Sequence, residues 1–437
     1  MHPEIATQGR ADSLVELTDS RASYRRAGLL VAAGELSFVG SISFLGGGST
    51  DSTLMLIDLS LSDRQLTFTR EGDSYHAGYE VDLALERAGS ATRRITTHEQ
   101  VRVGSLRETT RDEESVIYQQ VASLPPGEAT VTISIRDAGS TRNGIVRDPV
   151  RVPRFDEGTI TAPIPALRAR PRSSREKLPE IVVNPRATSV YGHDSVAVYY
   201  LEGYGPPMNG WTPVVQVRVI SDNGVVVYAD SVPWIEAGDK LRSAILRVPI
   251  ARVGFGELSV SASPFRGPGA SALTLQAPLL VSFGDGLPIS SFGDMLGLLR
   301  FFASADRLRT LRELAPGDRP RGWAAFLEAT DSATMSPANA ALKAYLARLV
   351  DANARFREDD HTPGWLTDRG MIFSALGEPD NQIEPNASDA ERSLAQVWSY
   401  HRYHVRFTFV DRAGFGRWRL TAGSEAEYRA LMHRIAR

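Results

Sequence analysis

The 437 residues carry 49 basic and 52 acidic side chains, a formal net charge of -3, and no cysteine. A chain this long exceeds one ordinary hydrophobic core and implies about three domains at roughly 100–200 residues each. The charge balance supplies no global basic field for nucleic acid or an anionic membrane, and the missing cysteine excludes disulfides, thiolate metal sites and a cysteine nucleophile.

Apart from Lys177, Lys240 and Lys343, every basic side chain is arginine. Arginine is also an ordinary surface residue, so the bias alone carries no functional weight. No run approaches the ~20 apolar residues that span a bilayer. The best candidate, residues 27–47, is interrupted by Glu35 and by glycines and reads as strands. The opening MHPEIATQGRADS lacks the basic-then-apolar order of a secretory signal.

After an N-terminal extension, residues 1–25, short β-prone runs alternate with turn residues over residues 26–155. In YEVDLALE, Val81, Leu83 and Leu85 oppose Glu80, Asp82 and Glu86, the period-two pattern of a strand with one wet face. REGD at residues 70–73 is a hairpin signal, with Gly72 suited to positive φ. Regular spacing of such runs predicts an antiparallel β-sandwich.

Residues 156–180 combine prolines with alternating charges and few core residues, which predicts a Pro/Arg-rich linker running extended over the surface. Its Arg168, Arg170, Arg172, Arg175 and Lys177 stand against Glu176 and Glu180. Without interleaved aromatics they read as a solvated linker rather than an arm for an anionic partner. Strand patterns return over residues 181–284, where Asn-Gly in SDNG (residues 221–224) marks a hairpin in a second β-sandwich.

From residue 285 to 437 the period changes. Phe292, Met295, Leu296, Leu299 and Phe302 recur at helical spacing. Ser336 and Pro337 are placed to start a second helix striped by Leu342, Tyr345, Leu346, Leu349, Asn353 and Phe356. RGMIFSALG and QVWSYHRYHVRFTFVD are strand-like. Ser424 and Glu427 have capping-box spacing ahead of Tyr428, Leu431 and Ile435. The fold class expected is multi-domain and mainly β: two antiparallel β-sandwiches, then a helical segment and a small α+β domain.

The familiar catalytic signatures are missing. GGGSTDST (residues 46–53) lacks the lysine of a phosphate-binding loop, and no GxSxG elbow, HExxH helix or EF-hand loop occurs. His401 and His404, three apart, would point to opposite faces of a strand and could share a metal only if the first lay in a turn. Glu358, Asp359, Asp360, His361 and Asp368, followed by Glu378 and Asp380, could hold a hard cation or supply a general acid and base; carboxylates after a helix are more often solvated.

In PGWLTDRGMIFSALGEPD (residues 363–380), Pro363 and Gly364 turn the chain sharply, Trp365 offers an apolar anchor, and Thr367 or Asp368 can bond nearby amides. GEPD then reads as a turn built on Gly377 and Pro379. VDRAGFG (residues 410–416) has hairpin chemistry, with Asp411 starting the turn and Gly414 in its left-handed position.

ANARF (residues 352–356), the GWLTD stretch and VWSYHRYHVRFTFVDRAGFGRWRL (residues 397–420) together resemble the GWxTD domain, a bacterial C-terminal domain without an assigned reaction. DLSLSDRQLTFTREGDSYHAGYEVDLAL (residues 58–85) and LPPGEATVTISIRD (residues 124–137) are similar to the β-rich region that precedes it. The resemblance implies an exported bacterial protein and carries over no catalytic residue and no cofactor. It marks Gly364, Trp365, Thr367, Asp368, Arg369, Gly370, Gly377, Pro379, Asp380, Asp411, Gly414 and Gly416 as a structural framework.

The leading expectation is a non-enzymatic extracytoplasmic binding or assembly protein with protein partners in the cell envelope. No signal peptide heads the given sequence, so the cytoplasm stays open as a compartment. The alternative is a hydrolase or metal-dependent enzyme using the carboxylates of residues 359–380 with His361, His401 or His404.

Overall fold

Alternation becomes structure in the strand Ser74–Glu86, where Val81, Leu83 and Leu85 are buried while Glu80, Asp82 and Glu86 stay half-exposed. The computed structural model describes residues 20–105, 115–191, 194–205, 211–221, 224–238, 240–265, 274–282, 292–315, 318–330, 340–358, 362–383 and 394–435. These are mainly β, with most helices toward the C-terminus. Residues 21–289 form one compact unit, and a second begins at Ser290.

The first unit holds four sheets among the described residues. The first runs in the order Leu30–Val31, Phe38–Gly46, Thr53–Ser62, Ser115–Leu124. The second follows the order Ala33–Gly34, Asn143–Val152, Gly127–Asp137, Ser74–Glu86, Thr69–Glu71, with Arg93–Val103 also on Ser74–Glu86. Thr69–Glu71 joins Ser74–Glu86 through the expected tight turn, with Gly72 at φ +61°.

In the third sheet the order is Glu180–Val183, Ile164–Arg170, Val196–Tyr204, Leu241–Pro249, Ile235–Glu236. Thr188–Val190, Leu275–Ser282, Gly256–Phe265, Trp211–Ser221 and Val226–Pro233 make the fourth. Its last two strands are joined where SDNG predicted a hairpin, and Gly224 has φ +79°.

Thr53–Ser62 explains the layering. Its Met55, Ile57, Leu59 and Leu61 share a core with Val81, Leu83, Val131 and Ile133 of the second sheet. On the other face, Leu54 and Leu56 meet Ile164, Ala166, Ile181, Val183 and Tyr200 of the third. All ten residues are buried. A strand covered on both faces is why TLMLIDLSLS is rich in leucine throughout instead of alternating cleanly.

That second face corrects the linker expectation. Residues 156–180 are not a free surface connector: Ile164–Arg170 pairs with Val196–Tyr204 and with Glu180–Val183. Ile164, Pro165 and Ala166 are buried, and only the later residues surface. Arg172 is not solvated either. Its guanidinium and the Glu202 carboxylate are both fully buried, joined at 2.6 and 3.0 Å. Arg172 also donates to Gly46 O at 2.8 Å, and Tyr200 and Tyr204 donate to Glu202 at 2.7 and 2.6 Å.

In the second unit the helical stripe is as expected: Phe292, Met295, Leu296, Leu299 and Phe302 are all buried. The chain breaks after them, however, and Ser304 caps a separate helix, Ala305–Glu313. Arg319–Thr330 and Ala340–Arg355 follow; Ser336 and Pro337 lie outside the described residues. The fifth sheet is Asn381–Ile383, Leu394–Tyr400, Val405–Asp411, Arg419–Leu420, after which Ala422–Ile435 closes the unit. That last helix starts two residues before the expected cap: Thr421 Oγ1 accepts from Ser424 N, and the Ser424 hydroxyl accepts from Thr408 N.

One expectation fails outright. Residues 371–376 form no strand but the end of the helix Asp368–Leu376. A short apolar run does not distinguish strand from buried helix, and the Thr367 cap decides for helix.

Two outcomes are expected in this fold. Arg172→Met, which strands the Glu202 carboxylate in the interior, should cost roughly 3–5 kcal/mol in denaturant unfolding. Asp58 is fully buried, and neither carboxyl oxygen has a hydrogen-bond partner. Burial pushes its carboxyl well above the ordinary range. The pH-dependent cost of such a group is absent below its unfolded value of about 3.9 and grows as pH rises toward the folded titration point. Calorimetric melting should therefore show Asp58→Asn gaining on the native chain from pH 3.5 to pH 7.

Candidate functional site

The GWLTD stretch is a wedge between two helices. Gly364–Leu366 is one turn of 3-10 helix set against the end of Ala340–Arg355. A Cβ on Gly364 would stand 2.6 Å from the carbonyl oxygens of both Ala352 and Asn353, so only glycine fits. Its N–H donates to Asn353 Oδ1 at 2.9 Å. Gly370, in the first turn of the next helix, sits so close that its own Cβ would be 1.9 Å from Gly364 O.

Thr367 locks this crossing. Its hydroxyl accepts from Gly370 N at 3.1 Å as the N-cap and donates to Gly364 O at 2.7 Å. Trp365 is buried, edge-on to Phe301 with centroids 5.9 Å apart and with the Arg300 guanidinium 5.1 Å from its ring. Burial lowers the Arg300 pKa. Leu366, at the position the motif leaves open, is 36% exposed.

The remaining framework residues tie the hairpin after Val405–Asp411. Asp368 accepts from Leu420 N at 2.6 Å. Glu358, its side chain only 2% exposed, accepts from Trp418 N at 3.0 Å and from Arg419 at 2.8 Å. Arg369 lies 5.5 Å from the Phe356 ring and 5.2 Å from that of Trp418. Asp411 accepts from Ala413, Gly414 and Gly416 N–H at 3.2, 3.0 and 2.6 Å. Burial alone would raise this carboxyl, but the backbone donors outweigh it and hold it below the usual range. Gly414 and Gly416 have φ of +71° and +78°, as the turn demands. At the tip, Phe415 is 82% exposed.

Gly377 ends Asp368–Leu376 with φ +88°, and its carbonyl accepts from Tyr400 Oη at 2.9 Å. Pro379 follows, half-buried, and Asp380 accepts from His401 N at 2.5 Å.

A family model for the GWxTD domain matches residues 289–431. The chain carries a GWxTD domain. No curated protein matches the chain.

Within the GWxTD domain the described acidic and histidine residues do not gather. Glu358 and Asp368 hold the hairpin, Glu378 pairs with Arg355, and Asp380 binds the turn at His401. The first histidine does lie in a turn, His401–Tyr403, and His404 follows in the left-handed conformation at φ +56°. Both side chains are exposed, and His404 borders a groove with Arg402, Glu427 and Arg434. Among the described residues no three His, Asp or Glu side chains are placed to hold a metal ion; Asp359, Asp360 and His361 lie outside them.

Sequence reasoning placed Asn353 on a helical stripe but missed its side chain as the acceptor for Gly364 N–H, Glu358 as a buried clasp, and Phe415 as the exposed tip. An Asp followed by glycines at three and five positions was the available signal for the last.

Trp365→Ala is expected to cost about 3–5 kcal/mol, as for a buried aromatic. Leu366→Ala, one position on, should stay within ~0.5 kcal/mol. Melting of the full chain measures both.

Proposed function

We propose that this chain is a non-enzymatic binding or assembly protein of the bacterial cell envelope. Its four N-terminal sheets act as two fused β-sandwich modules, and the GWxTD domain docks onto a protein partner. The envelope location rests on the resemblance to exported GWxTD proteins.

The observation that carries the docking role is the hairpin tip. Three carboxylates, those of Glu358, Asp368 and Asp411, fasten the segment from Asp411 to Leu420 at the main chain. Phe415 nevertheless stands 82% exposed between the exposed Arg412 and Arg417. Aromatic and arginine side chains dominate binding hot spots, and a loop already fixed in place loses little entropy on association. The motif then serves binding indirectly, as the scaffold of the presented tip.

The test is recovery of partners from envelope extracts by the full chain. Phe415→Ala should lower recovery at least tenfold with an unchanged melting temperature. No specific partner for the native chain, or full recovery by Phe415→Ala, would overturn the reading.

A further inference from the structure

The strand Phe38–Gly46 has an open stretch along one edge. Ala32 N–H donates to Phe38 O at 3.0 Å, and Gly46 N–H donates to Tyr204 Oη at 2.6 Å. On the opposite side, Gly47 N–H donates to Ser52 O at 2.8 Å, across the turn to Thr53–Ser62. Main-chain groups alternate in direction along a strand, so Phe38, Gly40, Ile42, Phe44 and Gly46 all address the edge away from Thr53–Ser62.

Pairing with Leu30–Val31 accounts for Gly40, with Leu30 directly opposite, and stops there. Gly46 is taken at both its N–H and its C=O, by Tyr204 and Arg172. Ile42 and Phe44 remain, with no partner along that edge among the described residues. The strand is buried at Phe38–Ser41 and again at Leu45 and Gly46, but half-exposed at Ile42, Ser43 and Phe44.

This gap opens into a cleft of about 340 Å³ within the first unit, lined also by Ile164, Pro165, Gln276 and Pro278. None of the described residues lining it is charged. The Ser41 hydroxyl at its wall is buried and without a hydrogen-bond partner.

We infer that the cleft accepts an extended, uncharged segment of a partner protein, of small or apolar residues, as an added strand on Ile42 and Phe44. The open main-chain groups specify an extended backbone. The uncharged walls specify its side chains, because an unpaired charge in such a cleft is costly. The incoming strand continues the edge already begun by Leu30–Val31. From Gly40 to Gly46 the strand runs about 20 Å at ~3.4 Å per residue, room for a short insert only. A second copy of the chain is disfavoured, since its own matching edge is recessed in the same way. The inference extends the binding role to the first unit and does not depend on Phe415, so the two tests fail separately.

The probe is a capped heptapeptide of alternating valine and threonine, added to the full chain. Amide hydrogen exchange at Ile42 and Phe44 should slow at least tenfold at saturation. Ile42→Pro deletes an edge-facing N–H, at a position where a strand tolerates proline, and trims a side chain packed against the core; with native circular dichroism retained, it should weaken binding at least tenfold. The same peptide N-methylated at alternate residues should fail on the native chain, which decides the matter if the proline variant misfolds. Lysine in place of the central residue should also abolish protection. Unchanged exchange, protection elsewhere, or equal binding of the N-methylated peptide would overturn the inference. So would self-association of the native chain that Ile42→Pro abolishes, which would make a second copy the occupant.

Discussion

The arrangement of the first unit depends on one buried ion pair. Arg172 and Glu202 have no solvent to neutralise them, and a pair in that position is tolerable only if its remaining hydrogen-bonding capacity is filled. It is filled from three parts of the chain. Gly46 belongs to the first sheet, Arg172 to the segment after Ile164–Arg170, and Glu202 with its two tyrosines to the third sheet. Burial raises the phenol pKa values of Tyr200 and Tyr204, so both remain neutral donors to the carboxylate. Arg175 adds to the same junction, donating to Gly47 O at 2.7 Å and lying 4.6 Å from the Tyr204 ring. The loop between the first two long strands is thereby fixed by residues that follow it by more than a hundred positions.

The second unit solves a related problem with backbone geometry instead of charge. Two glycines let a helix end, a 3-10 turn and a helix start approach at distances no side chain allows. The threonine between them supplies the hydrogen bonds that such a crossing leaves open. The aspartate of the motif then reaches past its own helix to the hairpin at Leu420. Each named position of the motif therefore has a mechanical reason, and the exposed Leu366 has none.

Local chemistry in the sequence foretold local structure. Gly72, Gly224 and Gly414 marked turns because a tight hairpin needs positive φ, and the residues themselves advertise it. Helical stripes at Phe292 and Leu342 were legible for the same reason: the period and the buried face are written in consecutive residues. What stayed illegible depended on distant partners. Arg172 looks solvated among prolines and charges until Glu202, 30 residues on, encloses it. Residues 371–376 look like a strand until the cap at Thr367 is seen to work. At the candidate site the turn around Asp411 was readable, but the burial of Glu358 required knowing that the hairpin returns to it.

The Arg172 junction also sets a timetable. Gly46 waits for Arg172, 126 residues later, and for Tyr204, 158 residues later. At about 5–20 residues per second of synthesis, Tyr204 follows Gly46 by roughly 8–30 s. During that interval the Leu54 and Leu56 face of Thr53–Ser62 has no third sheet to cover it. The nascent first pair of sheets thus displays, for that interval, a leucine surface that the finished protein hides.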